Sequence, residues 1–333
     1  MDNLTHSLTG VLLSRAGLRK LTPLATPVLL VAANIPDIDI VSGLLTPIQY
    51  LQHHRGITHS IAATPVMAVL AVLLVALAAR RRPTLPMFLV AALGVASHWL
   101  LDWTNVYGIR LLEPFQSSWH RLDVTHVFDL WIWAFLLMGV AAPVLSRLVS
   151  GEIGAKASTG AGAAVFALLL FAGYDFARYL LHQRAVETLQ ARLYEGAAPR
   201  RVLAVPDPVN PLSWRGVVEG DNFVRVLPVN LARDFDPTAG VLLYYPEPSP
   251  PLETAQGHPD YQAFLRFVQW PYWRVLPAGN PEGAMRVTLM DLRFADPPVD
   301  RFALSCVVDS NLRVTETKFD FGPLGRGGGS ANR

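Results

Sequence analysis

Residues 61–101 read IAATPVMAVLAVLLVALAARRRPTLPMFLVAALGVASHWLL, and the fold turns on this stretch. Ile61–Ala79 holds 19 residues without a charge or a histidine, and Arg80, Arg81 and Arg82 follow at once. Pro83–Leu101 is equally long and carries one ionisable group, His98. Crossing the hydrocarbon core of a bilayer takes about 20 apolar residues in a helix. Further out, Leu130–Ser146 and Ala157–Tyr174 are two more uncharged runs. Four such runs between residues 61 and 174 predict membrane spans rather than the buried helices of a soluble core. Leu4–Ser14 and Leu21–Pro36 are apolar but shorter, divided by Arg15, Arg19 and Lys20. A signal peptide fits them poorly, because the basic residues follow an apolar stretch and no small-residue cleavage site precedes Asn34. They predict a short helical hairpin packed among the full spans.

Composition agrees. The 333 residues are 51% hydrophobic and 16% charged, against about 25% charged in a soluble domain. Residues 1–182 contain 21 Asp, Glu, Lys and Arg, and the remaining 151 residues contain 33, so only the second part has an ordinary solvated surface. A net charge of +2 is too small to imply nucleic acid, and the basic residues sit in short clusters rather than along one face, so no nucleic-acid partner is expected. One cysteine, Cys306, excludes an internal disulfide framework and a Cys-based zinc finger.

The expected fold is a multi-pass α-helical membrane domain, residues 1–182, followed by a small soluble α+β, β-rich domain, residues 200–322. A helical connector (183–199) joins them, and residues 323–333 read as a disordered tail rich in Gly. Strand patterns occur at Ser213–Val218, Asn222–Val229, Val241–Tyr245, Met285–Phe294, Phe302–Asp309 and Arg313–Phe321, and Tyr261–Trp270 reads as a helix. Basic residues favour the cytoplasm, so Arg80–Arg82 are placed inside. Alternation then puts Arg15, Arg19, Lys20, Arg147 and Lys156 inside too, and the region after 182 outside the cytoplasm.

Seven of the nine histidines precede residue 127, together with Asp2, Asp37, Asp39, Asp102, Asp123 and Asp129. Ionisable groups near membrane depth pair, bind something or line a wet cavity. The alternation places this set at the outer helix ends. His98 and Asp102 are four apart, hence on one helical face, and Asp2 and His6 repeat the spacing. Such a pair makes two metal ligands, a ligand with its orienting partner, or a buried His–Asp hydrogen bond. Asp37 and Asp39 sit at a helix exit, and His53, His54 and His59 crowd one loop. Oxygen and imidazole donors without a thiolate suit zinc, manganese or iron, in a centre of one or two ions. A carboxylate outside the metal shell, Asp39 first, would serve as general base, with Arg55 and Arg110 facing an anionic substrate.

Met1–His6, Asn34–Asp39, His54–Ser60, Ser97–Asp102, Tyr107–Phe115 and Val127–Trp131 together resemble the YdjM-like family of bacterial inner-membrane proteins regarded as metal-dependent hydrolases. Carried over by position, the resemblance implies metal ligation by His6, Asp37, His54, His59, His98, Asp102 and Asp129. The expected function is hydrolysis of a phosphoester or lipid-like substrate at the outer face of the cytoplasmic membrane. Membrane lipids are the expected partners, with a cell-envelope partner for the C-terminal domain. The competing expectation is a non-catalytic membrane protein, a transporter component or a structural factor, in which the His/Asp cluster staples helices through a metal.

Overall fold

The computed structural model describes residues 1–44, 46–153, 160–297, 299 and 301–321; the expectations for Lys156 and the tail 323–333 lie outside the described residues. Helices α1 (Asn3–Ala16) and α2 (Ala25–Ala32) form the short hairpin, and α3 (Pro47–His53), α4 (Thr64–Ala78), α5 (Leu85–Thr104), α6 (Leu130–Ile153) and α7 (Ala161–Gln190) follow. Among the described residues, Leu85–Thr104, Leu130–Leu148 and Ala161–Gln190 are long and apolar enough to cross a membrane. The number rises to five if two bent pairs, Ala25–Ala32 with Ile35–Leu44 and Pro47–His59 with Thr64–Ala78, each count as one span.

The run Ile61–Ala79 is thus shorter as a helix than its composition suggests. Ser60 Oγ donates to Ile57 O (2.8 Å) and accepts from Ala63 N (3.1 Å), holding residues 57–63 in turns. α4 starts only at Thr64, with Pro65 in its first turn, where a missing N–H costs nothing. Its 15 residues reach about 22 Å, short of a hydrocarbon core of about 30 Å. α7 errs the other way. Its 30 residues run unbroken to Gln190 and take in the first eight residues of the expected connector.

The chain divides into two compact units. The first comprises Met1–Ile40, His54–Arg184 and a returning segment, Pro206–Trp214. One apolar core joins α2, α4 and α5, through Val28, Leu29, Ala71, Val72, Val90 and Ala91. Gly94 permits the close crossing of α5 and α2, because a Cβ there would stand 2.8 Å from Ala32 Cβ. A second core joins α1, α6 and α7 through Leu8, Leu12, Ile132, Leu136, Ala167 and Phe171. The returning segment is tied down by Arg178, wholly buried, which donates to Val124 O (3.1 Å) and Pro211 O and lies over the Trp214 ring.

The second unit comprises Val41–His53, Ala185–Val205 and the chain from Arg215 onward. It contains two four-stranded antiparallel meanders. One runs β1 (Arg201–Pro206), β2 (Ser213–Glu219), β3 (Phe223–Asn230), β4 (Val241–Tyr244). The other runs β5 (Pro271–Pro277), β6 (Met285–Asp291), β7 (Ala303–Val308), β8 (Val314–Asp320). Helices α8 (Pro250–Gly257) and α9 (Pro259–Leu265) connect the meanders, and Tyr261 of α9 donates its hydroxyl to Val287 O (2.7 Å). The six expected strands are present. β1 and β5 were not expected, since each is bounded by proline, and both are sheet edges, where proline is tolerated.

Candidate metal centre

Four short pieces of the first unit deliver the polar side chains. Asp2 caps α1, accepting from Leu4 N (3.0 Å) and Thr5 N (3.1 Å), and this start fixes His6 on the buried face. The 3₁₀ segment Ile35–Leu44 presents Asp37 and Asp39. The loop before α4 presents His54 and His59, and the last turns of α5 present His98 and Asp102. His6, His59, His98 and Asp102 have no exposed surface.

Four donor atoms face one another at the centre. His59 Nε2 stands 3.2 Å from Asp37 Oδ1 and 3.6 Å from Asp102 Oδ2. His98 Nε2 stands 3.7 Å and 3.3 Å from the same two oxygens. Four ligands held at zinc distances span tetrahedral edges of about 3.3–3.4 Å. The observed nitrogen–oxygen separations bracket that edge. His98 Nε2 and Asp102 Oδ2 have no hydrogen-bond partner among the described residues, and neither does either ring nitrogen of His6. Orphaned lone pairs on fully buried groups are costly, and a cation between them removes the cost. The donor set therefore fits a divalent ion. His6 completes the wall, its ring stacked on that of His98 with centroids 3.9 Å apart and Nε2 3.5 Å from Asp102 Oδ1.

Behind these atoms lies a layer that fixes their orientation. His98 Nδ1 donates to Ala33 O (2.7 Å), which leaves the Nε2 lone pair facing inward. His59 Nδ1 lies 3.2 Å from Asp39 Oδ2 and 3.0 Å from Thr58 Oγ1. Asp39 accepts further hydrogen bonds from His54 Nδ1 (2.8 Å), Arg55 N (3.0 Å) and the Thr58 hydroxyl (3.0 Å). Arg55 has a left-handed φ of 57°, the cost of aiming that N–H at Asp39. Its guanidinium meets Asp102 Oδ1 and Asn105 Oδ1, each at 3.0 Å, and the Met1 amino group also lies against Asp102 Oδ1.

Seven of the expected site residues come together in overlapping groups of potential metal ligands: His6, Asp37, Asp39, His54, His59, His98 and Asp102. Within them Asp39 and His54 pair with each other. Three others lie outside these groups, Arg55 among them although it contacts Asp102 and Asp39. Asp129, expected as a ligand, caps α6 by accepting from Trp131 N (3.1 Å) and Ile132 N (3.3 Å), and takes the Tyr174 hydroxyl (3.2 Å). Arg55, expected to face substrate, is 3% exposed and engaged with Asp102. Arg110 pairs with Glu113 (3.0 Å) and lies over the Trp119 ring. Asn105, Thr58 and Asn3 were missed. Asn105 lies three residues after Asp102 and bonds both it and Arg55. Asn3 donates to Asp37 Oδ2 (3.0 Å).

A family described as YdjM inner membrane protein matches residues 1–184, and that stretch contains every residue of the centre. An uncharacterized protein of Bacillus subtilis (strain 168), YfhP, is 30% identical over 151 residues, 42% of this chain. The chain spans about half, 46%, of the length of that relative. No solved structure matches. The apolar helices and the family match, which covers more than half of the chain, make this a membrane protein belonging to the YdjM inner membrane protein family.

Proposed function

We propose that Asp37, His59, His98 and Asp102 hold one divalent cation, zinc first, and that the protein is a metal-dependent hydrolase. The observation that carries this reading is the pair of buried, unpartnered atoms His98 Nε2 and Asp102 Oδ2, 3.3 Å apart. A bound divalent ion supplies Lewis acidity and activates water for hydrolysis. The chain's own residues set its surroundings. Ala33 O and Asp39 fix the histidine tautomers, Arg55 and Asn105 hold the outer oxygen of Asp102, and Asn3 steers Asp37. Asp37 is the most exposed of the four donors, so solvent and substrate reach the centre from its side. The substrate is a phosphoester or another lipid-like molecule at the outer face of the cytoplasmic membrane. The basic clusters support that orientation, with the C-terminal domain outside the cytoplasm and available to an envelope partner.

A second reading rests on one observation. Four protein donors, two imidazole nitrogens and two carboxylate oxygens, face one another, and a set of four protein ligands is the habit of structural zinc, whereas catalytic zinc keeps a position open. Under that reading the ion staples α5 to the segments carrying Asp37 and His59. Hydrolysis of a phosphoester and lipid-ester panel by purified protein, before and after chelation and metal return, separates the two. Metal-dependent turnover supports the enzyme; stoichiometric metal with no turnover and lost thermal stability on chelation supports the staple. Reporter fusions at Arg82 and Gly196 test the orientation, and cytoplasmic activity at Gly196 inverts it.

A further inference from the structure

Beside the centre lies a cleft of about 290 Å³, walled by Ile57, Thr58, Ala63, Val66, Met67 and Pro114. Its wall is almost wholly apolar, and Thr58 belongs to both places: it lines the cleft, and its hydroxyl bonds Asp39 and His59. The cleft is also continuous with a face left open among the described residues. Ile57, Ile61, Val66, Leu70 and Leu73 are 40–57% exposed, and from Val66 onward they share one side of α4. Next to Pro114 the large apolar side chain of Phe115 is 88% exposed. In water so much contiguous apolar surface is costly. In a membrane protein it is the surface that hydrocarbon wets.

We infer that this cleft is an acyl-chain slot, in which a bilayer lipid lays one hydrocarbon chain while its polar part reaches the metal centre past Thr58. This rests on the proposed hydrolase reading and narrows its substrate to an amphiphile that enters sideways from the membrane. Hydrocarbon is the occupant that the location selects, because the mouth is continuous with the exposed face of α4. A soluble phosphoester would leave these walls bare. The slot can hold a length of chain and offers a headgroup almost no hydrogen-bonding partner. Arg110 and Glu113, paired just before Pro114, supply polar groups in the same loop.

The test is photolabelling of the whole protein in phosphatidylethanolamine–phosphatidylglycerol vesicles, with a phospholipid carrying a diazirine in its acyl chain. Adducts mapped by mass spectrometry are expected to concentrate on Ala63, Val66 and Met67 over Leu145 and Leu148, exposed apolar residues of α6. Val66→Trp and Ala62→Trp, at two residues that line the cleft, should abolish the slot adducts and leave those on α6 and the metal content unchanged. Equal labelling of the slot and of α6, or slot labelling untouched by both variants, overturns the inference. Labelling is read without turnover, so the two claims fail separately. Slot adducts with no hydrolysis of any panel substrate would sink the enzyme reading alone; hydrolysis without slot adducts would sink the slot alone.

Discussion

Asp39 and His59 are joined side chain to side chain, Asp39 Oδ2 lying 3.2 Å from His59 Nδ1 while His59 Nε2 faces Asp37 and Asp102. A carboxylate behind an imidazole whose far nitrogen meets a cation site is an orienting arrangement. It fixes the tautomer and raises the basicity of the ligand. Both oxygens of Asp39 are engaged by His54, Arg55 N, Thr58 and His59, which are the surroundings of a positioning residue.

Asp39→Asn therefore has a defined signature. The variant keeps its shape but loses the charge, and one of its two side-chain acceptors becomes a donor. Metal affinity, measured by competition with a chromogenic chelator, should fall by about 10- to 100-fold. Unchanged affinity with lost turnover would return Asp39 to the role of base.

Arg55→Ala removes the guanidinium that meets Asp102, and the partner carboxylate is wholly buried. Breaking such a pair costs about 3–5 kcal/mol. Thermal unfolding in detergent should show a large drop. Arg55→Lys should recover only part of it, because an ammonium lacks the planar fork that meets Asp102 and Asn105 together. Full recovery by lysine would show that charge alone matters there.

Asp129 offers a contrast. Asp129→Ala should cost about 1 kcal/mol through loss of the α6 cap. Asp129→Asn should cost less, and metal content should stay at the wild-type level in both. Metal loss in Asp129→Asn would restore this residue to the ligand set that the resemblance implied.

Much of this centre was legible as a set of residues and little of it as a set of roles. The spacing of His98 and Asp102 puts both on one face of α5, and helical periodicity is enough to see it. Asp37 and Asp39 lie two apart in a 3₁₀ segment, and sequence could not say that one faces the cation site and the other backs His54 and His59. Arg55 looked like a substrate-facing cation because a lone arginine near a membrane surface usually stays wet. Its burial depends on Asn105 and Asp102, about 50 residues away. In the second unit, alternation exposed the strands with regular apolar patterning, while proline hid β1 and β5. The length of α4 was misread because hydropathy does not register the Ser60 turn that delays its start.

Three wholly buried donors, His59, His98 and Asp102, and the half-buried Asp37 are proposed to hold a divalent cation. Elemental analysis of the full chain, purified in detergent without chelator, should find one divalent ion per chain. The same analysis of His98→Ala should find it lost, while Leu100→Ala, on an exposed face of the same helix, should retain it. No metal above background in the wild-type protein, or equal metal in His98→Ala and wild type, would contradict the account.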